Sequence, residues 1–313
     1  MTELTYPETA TTVEVPPRKQ TRRRMKRKHL VAWLFVLPIL LINILVVIGP
    51  SLSAFYYSLT EWSGIGPAKF IGLENFRVML TEDSNYWRAF TNNLLWLTFF
   101  LTIPFVLALG AASVLAQVRR GHMGFRTTLF IPYVLPAVIT ASIWRNLLSP
   151  TLGVGAQLAK SGIPGLDQAF LGKPSTALIT VAFVDNWHWW GFLMVLFLAA
   201  MQAIPPDLYE SARIDGANRW QEFTNITIPG IRPTLVFMIL MTSIWSFLVF
   251  DYIWILTQGG PAGSSEVLGT LVYKEAFNRF AAGYASAIGL SMSLFAGIIL
   301  SIFYVLRRRG WEI

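Results

Sequence analysis

Asp207-Leu-Tyr-Glu-Ser-Ala-Arg-Ile-Asp-Gly-Ala-Asn-Arg-Trp-Gln-Glu-Phe-Thr-Asn-Ile-Thr-Ile-Pro229 is a polar island between two long apolar blocks. Pro205 and Pro206 end whatever precedes it, because proline donates no backbone hydrogen bond and restricts the residue before it. Asp207 then caps a new helix, with Glu210 three residues on, as in a capping box. That helix runs from Leu208 to about Ile214. Gly216 ends it, since glycine takes the left-handed conformation at little cost. Asn218 and Gln221 repeat the capping spacing and open a second short helix, and Ile228-Pro229 leads back to apolar sequence. A helix, a glycine turn and a helix held between two membrane spans form a rigid plug for something outside the membrane. On these residues alone a plain, well-capped connector fits equally.

The composition is that of a membrane protein. Hydrophobic residues make up 54% and charged residues 13% of the chain, against about 25% charged in soluble domains. Twelve Trp and ten Tyr suit rings that collect at membrane interfaces. There is no Cys, which excludes disulfides and thiolate metal sites. The net charge of +8 sits beside apolar spans, where it orients a membrane protein rather than binding nucleic acid.

Six apolar blocks are expected to cross the bilayer, each near or above the roughly 20 residues needed. They run over about 30–59, 90–117, 127–147, 176–203, 233–256 and 283–309. Residues 1–29 read as a disordered basic cytoplasmic tail, with Arg18, Lys19, Arg22, Arg23, Arg24, Lys26, Arg27 and Lys28 clustered in it. No convincing cleavage site ends the first block, so it is a span rather than a signal peptide. Pro38, Asn43, Gly49 and Pro50 mark kinks or packing points in it. Residues 61–88 read as an outer segment containing a helix along the membrane surface. Asn92 and Asn93 open the second span and Pro104 interrupts it. Pro132 and Pro136 share a face of the third and bend it. Residues 149–175 and 262–282 read as outer loops.

Charge sets the orientation. With the N-terminus inside, the inner segments hold the tail cluster, Arg119, Arg120, Arg126, Arg213, Arg219, Arg232 and Arg307 to Arg309. The outer segments hold Lys69, Arg77, Arg88, Arg145, Lys160, Lys173, Lys274 and Arg279. The positive-inside rule then puts both termini and the 205–232 loop in the cytoplasm.

A resemblance extends this reading. Glu210-Ser211-Ala212, three residues, Gly216, nine residues, Ile226, one residue, Ile228-Pro229 resembles the Glu-Ala-Ala loop of ABC-importer membrane subunits. Ser211 and Ile228 depart mildly from the pattern. Tyr209, Asp215, Ala217 and Phe223 around it, the Gly72-Leu73-Glu74-Asn75 stretch and Thr257-Gln258-Gly259-Gly260-Pro261 resemble the carbohydrate-importing, maltose-type branch. The resemblance covers roughly residues 30–309.

It implies an all-α integral membrane protein of six transmembrane helices, the type I ABC importer permease fold, in a prokaryotic plasma membrane. It implies a second related permease subunit, two cytoplasmic ATPase subunits that bind ATP and Mg, and an extracytoplasmic solute-binding protein that delivers a sugar. Glu210, Ser211, Ala212, Asp215, Gly216, Ile226 and Pro229 would then form the segment that couples to the ATPase. A gapless comparison places Asp185, His188, Trp189, Phe192, Thr242 and Ser246 at pore-facing positions, and Asp251 joins them as an intramembrane carboxylate. Asp185 and Asp251 would disfavour an anionic solute unless protonated or paired, Arg145 being the candidate partner. Belt aromatics and capping aspartates are the plain alternative.

Catalytic and metal residues are not expected. No phosphate-binding Gly-x-x-x-x-Gly-Lys-Ser/Thr loop is present, so the chain binds no ATP in that way. His29, His122 and His188 lie far apart and form no metal motif. An autonomous secondary transporter or channel is the rival class. Among ABC permeases, one for a non-sugar solute such as glycerol 3-phosphate is the alternative.

Overall fold

The structure, a computed structural model, describes residues 22–118, 121–163, 165 and 167–308. Arg18, Lys19, Arg119, Arg120 and Arg309 lie outside the described residues, as do the rest of 1–21 and 310–313. The chain divides into a unit up to Leu52 and a unit from Ser53 onward.

In the first unit, α1 (Arg22–Asn43) passes through one π-helical turn, Ile44–Ile48, into α2 (Gly49–Ser58), whose residues from Ser53 onward belong to the second unit. Residues 22–29, expected from composition to be disordered, are instead the first turns of α1. Arg, Lys and Met are good helix formers, so the apolar helix extends backward through them. The π turn comes just before Pro50, where the missing N–H forces the hydrogen-bond ladder to change step.

The second unit opens with a two-stranded antiparallel ribbon, β1 (Thr60–Glu61) against β2 (Lys69–Phe70). Next come α3 (Glu74–Thr81) and α4 (Ser84–Leu115). In the expected surface segment α3 and the first residues of α4 are helical, and the ribbon is a small departure from an all-α chain. Asp83 caps α4 by accepting from Asn85 N at 2.8 Å. Pro104 is carried inside α4 without ending it.

The third span is broken rather than bent. α5 (His122–Val134) and α6 (Ala137–Leu147) meet at 95°. Pro136 caps α6 and Leu135 is extended, as expected for a residue before proline. Pro132 stays within α5. Residues 149–175 contain a short helix, α7 (Val154–Lys160). α8 (Ala177–Gln202) is the fourth span, and its packing against α4 is the most extensive between any two helices. Phe105, Ala108 and Ala112 of α4 meet Leu193, Met194 and Phe197 of α8 in the largest buried cluster.

The loop region comprises α9 (Pro206–Ile214), α10 (Arg219–Glu222) and α11 (Ile228–Gly230). The fifth span, expected to be continuous, is α12 (Arg232–Leu248) followed by α13 (Asp251–Leu256), with Val249 and Phe250 outside helical geometry. The last outer segment is not a plain loop. It holds α14 (Leu268–Tyr273) and a π turn, Lys274–Asn278, with Leu268 and Leu271 buried. Finally α15 (Ala282–Arg308) is the sixth span. Five helical stretches are thus long and apolar enough to cross a bilayer, and the bent α5–α6 pair makes a sixth.

Candidate functional site

The polar loop is braced at five places. The first predicted cap does not form. Pro205 precedes α9 and Pro206 occupies its first turn, so the helix begins before Asp207 and no side chain caps it. Proline is pre-organised for that position. Asp207 instead lies in the first turn, where a carboxylate suits the positive end of the helix dipole. Glu210 has no capping role there and is exposed.

The other end of α9 follows the local chemistry closely. Gly216 has φ +83. Its N–H donates to Arg213 O at 3.1 Å, and Ala217 N donates to Ala212 O at 2.9 Å. That pair of bonds is a Schellman closure. Asn218 and Gln221 complete a reciprocal box: Gln221 N donates to Asn218 Oδ1 at 2.9 Å, and Asn218 N donates to Gln221 Oε1 at 2.8 Å. Across the turn, Arg213 Nε donates to Glu222 Oε1 at 2.7 Å. Tyr209 OH and Thr227 Oγ1 lie 2.9 Å apart, and Arg219 donates to Gln117 Oε1 at 2.7 Å. The Arg213 guanidinium holds the Glu222 carboxyl below its ordinary range, and Arg213 is raised in return.

Ser211, Asp215, Gly216 and Pro229 are exposed with Glu210, while Ala212 and Ile226 are half-buried. Ile226 packs against the α4–α8 cluster. Sequence reasoning passed over Leu208, Ile214 and Trp220, which are 52%, 87% and 70% exposed.

A second site lies between α8 and the broken fifth span. A cavity of about 290 Å3 is lined by Asp185, His188, Trp189, Thr242, Ser246 and Asp251. Phe192 does not line it; its ring stacks on Tyr133 at 4.5 Å and lies 5.2 Å from Trp189. Gly191 makes this possible. A Cβ there would lie 2.1 Å from Leu129 O, so only glycine lets α5 approach α8 so closely.

Tyr252, Trp245 and Val249 also line the cavity. Tyr252 was not singled out in the sequence, although it follows Asp251 directly. Trp189 and Trp245 meet edge to face at 4.8 Å, and the His188 and Tyr252 rings are 5.8 Å apart. Trp189 Nε1, Thr242 Oγ1 and Tyr252 OH are buried without a protein hydrogen-bond partner, Tyr252 OH facing Thr140 outside good geometry. Buried polar groups are normally paired, and all three of these atoms belong to residues that line the cavity. Arg145, expected as a partner for the aspartates, donates instead to the carbonyl of Ile255.

Comparison with known proteins adds to this geometry. The model of the family "Binding-protein-dependent transport system inner membrane component" matches residues 105–311. The probable ABC transporter permease protein YurN of Bacillus subtilis is 37% identical over 268 residues, covering 84% of this chain and 91% of the relative. The diacetylchitobiose uptake system permease protein NgcF of Streptomyces coelicolor is 31% identical, covering 86% of this chain and 80% of the relative. A chain of a bacterial alginate ABC transporter, solved in complex with an alginate pentasaccharide-bound periplasmic protein, superposes with TM-score 0.81 at 25% identity. That match covers 94% of this chain and 99% of the other.

Proposed function

Because this chain belongs to the family of binding-protein-dependent transport system inner membrane components, we propose that it is the permease subunit of an ATP-driven importer for a sugar. The observation that carries the sugar reading is the 290 Å3 cavity, which aromatic rings, the carboxylates Asp185 and Asp251 and the hydroxyl-bearing Thr242 and Ser246 line together. Sugars need hydrogen-bond partners for their hydroxyls and flat apolar surfaces for their C–H faces. The diacetylchitobiose and alginate systems among the relatives are consistent with a saccharide.

The 205–232 loop faces the cytoplasm in this reading, as do both termini. Leu208, Ile214 and the residues from Glu210 to Gly216 dock on an ATPase subunit that supplies ATP and Mg chemistry. The closures at Gly216 and Asn218 and the Arg213–Glu222 pair let the loop move as one body. A second permease subunit completes the pore, and a binding protein delivers solute from the other side.

The test is reconstitution of the chain with its partner permease, ATPase and binding protein. Uptake of a labelled mono- or oligosaccharide should require ATP and the binding protein. Uptake by this chain alone, driven by an ion gradient, would overturn the proposal in favour of an autonomous transporter.

A further inference from the structure

A larger cavity lies beside the polar loop, which forms one of its walls. It encloses about 840 Å3 between the ends of α4 and α8 and the inner face of α9 and α10. One end is apolar, formed by Val106, Leu109 and Gly110 of α4 with Met201 of α8. The other end is polar, formed by Gln117, Arg213, Arg219 and Glu222, and Trp220 and Phe223 line it as well. Val106 precedes the end of α4 by nine residues, a depth of about 14 Å at the helical rise. The cavity therefore runs from inside an apolar span to the level where the spans end, as a lipid does.

The polar end carries one uncompensated positive charge. Arg213 is committed to Glu222 at 2.7 Å, whereas Arg219 approaches it only to 4.0 Å and donates to neutral Gln117. The Arg219 side chain is 69% exposed. Tyr209 and Arg213, one turn apart, line the cavity. Leu208, Ser211 and Ile214 are exposed and do not line the cavity, so of the α9 residues proposed for the ATPase only Arg213 is shared with its wall.

We infer that the cavity binds an anionic phospholipid from the leaflet on the side of the loop, with its phosphate at Arg219 and an acyl chain along Val106 and Gly110. Basic pockets between membrane helices at this depth favour acidic headgroups. A soluble anion would satisfy Arg219 but leave the apolar end uncovered. The lipid touches α4, α9 and α10 at once, so it braces the loop against the second span.

The experiment uses the assembled transporter in nanodiscs of phosphatidylcholine, with or without phosphatidylglycerol. Native mass spectrometry counts retained phosphatidylglycerol, a readout that does not depend on the transport reading. The wild-type complex should hold one tightly bound phosphatidylglycerol that soluble glycerol phosphate does not displace. Gly110→Leu projects into open space, since a Cβ there meets nothing within 4 Å, and it should cut retention at least about tenfold. Arg219→Gln should do the same. ATPase activity should rise with phosphatidylglycerol in the wild type and not in Gly110→Leu, with equal basal rates in phosphatidylcholine. Equal retention by the wild type and both variants would overturn the inference. So would displacement by glycerol phosphate, or a partner subunit crosslinking into the cavity through position 110.

Discussion

Asn93 holds the broken fifth span at Ser246: its side-chain amide donates to the Ser246 carbonyl at 2.7 Å, while its Oδ1 accepts from Leu268 N at 2.8 Å. The Ser246 carbonyl lies in the last turn of α12, where the helix ends before Val249 and its own ladder offers no N–H. One side chain of the second span therefore satisfies the end of α12 and the start of α14 together. Asn92 beside it donates to the carbonyls of Ser264 (3.1 Å) and Glu266 (2.7 Å). The break matters because Ser246, Val249 and Asp251 all line the 290 Å3 cavity.

Asn93→Leu should destabilise the protein by leaving both backbone groups buried without a partner, at about 1–3 kcal/mol each. Thermal unfolding of the purified complex should shift several degrees downward, and uptake should fall with it. An unchanged melting curve would mean that the break holds without Asn93.

Gly216→Val should insert normally and lose transport. A β-branched residue at φ +83 costs about 1–2 kcal/mol and opens the Schellman closure. Uptake should fall at least about tenfold, whereas Gly216→Asn should retain most of it, because asparagine tolerates this conformation. Equal uptake in both variants would count against a rigid loop.

The Arg213–Glu222 pair sets an acid limit on the loop. Glu222 is lowered in the folded state, so between the lowered and the ordinary values the unfolded loop binds more protons than the folded one. Its stabilisation is complete above the ordinary glutamate value of about 4.3. It is lost as pH falls through the lowered folded value. Arg213→Gln removes the main cause of the shift and should move the acid loss to higher pH. Hydrogen exchange of the 218–227 amides, corrected for intrinsic rates, reads this; identical pH profiles would contradict it.

In the cavity, Thr242→Val and Trp189→Phe each remove a polar atom that has no protein partner. Thr242→Val should leave folding unaffected, whereas Trp189→Phe also thins the packing on Phe192 and Trp245 and should lower thermal stability. The solute concentration for half-maximal uptake should rise roughly tenfold where these cavity-lining side chains contact the solute. Asp185→Asn should alter selectivity among saccharides. Wild-type values in all three would place the solute elsewhere.

The loop from 205 to 232 was legible largely because its chemistry is local. Gly216, Asn218 and Gln221 act through bonds spanning three to five residues, and those spacings are written in the chain. The exception, Asp207, shows the limit even there: two prolines moved the helix start and left the expected cap without a role. The six apolar blocks were legible for the same kind of reason, since span length follows from residue count alone.

What only the tertiary structure decided depends on partners far away in the chain. Nothing near Val249 announces a break, because the Ser246 carbonyl finds its donor on Asn93, 153 residues earlier. Residues 262–282 read as a loop, yet Leu268 and Leu271 are buried, and Leu268 N is paired with an acceptor 175 residues away. The sequence by itself determined which segments cross the membrane and how the polar loop is closed, because helical hydrogen bonds and caps are satisfied within one or two turns. Where a span breaks, which side chains line a cavity and which loop folds inward were decided by long-range pairing, because a backbone group freed at depth must find its partner on another helix.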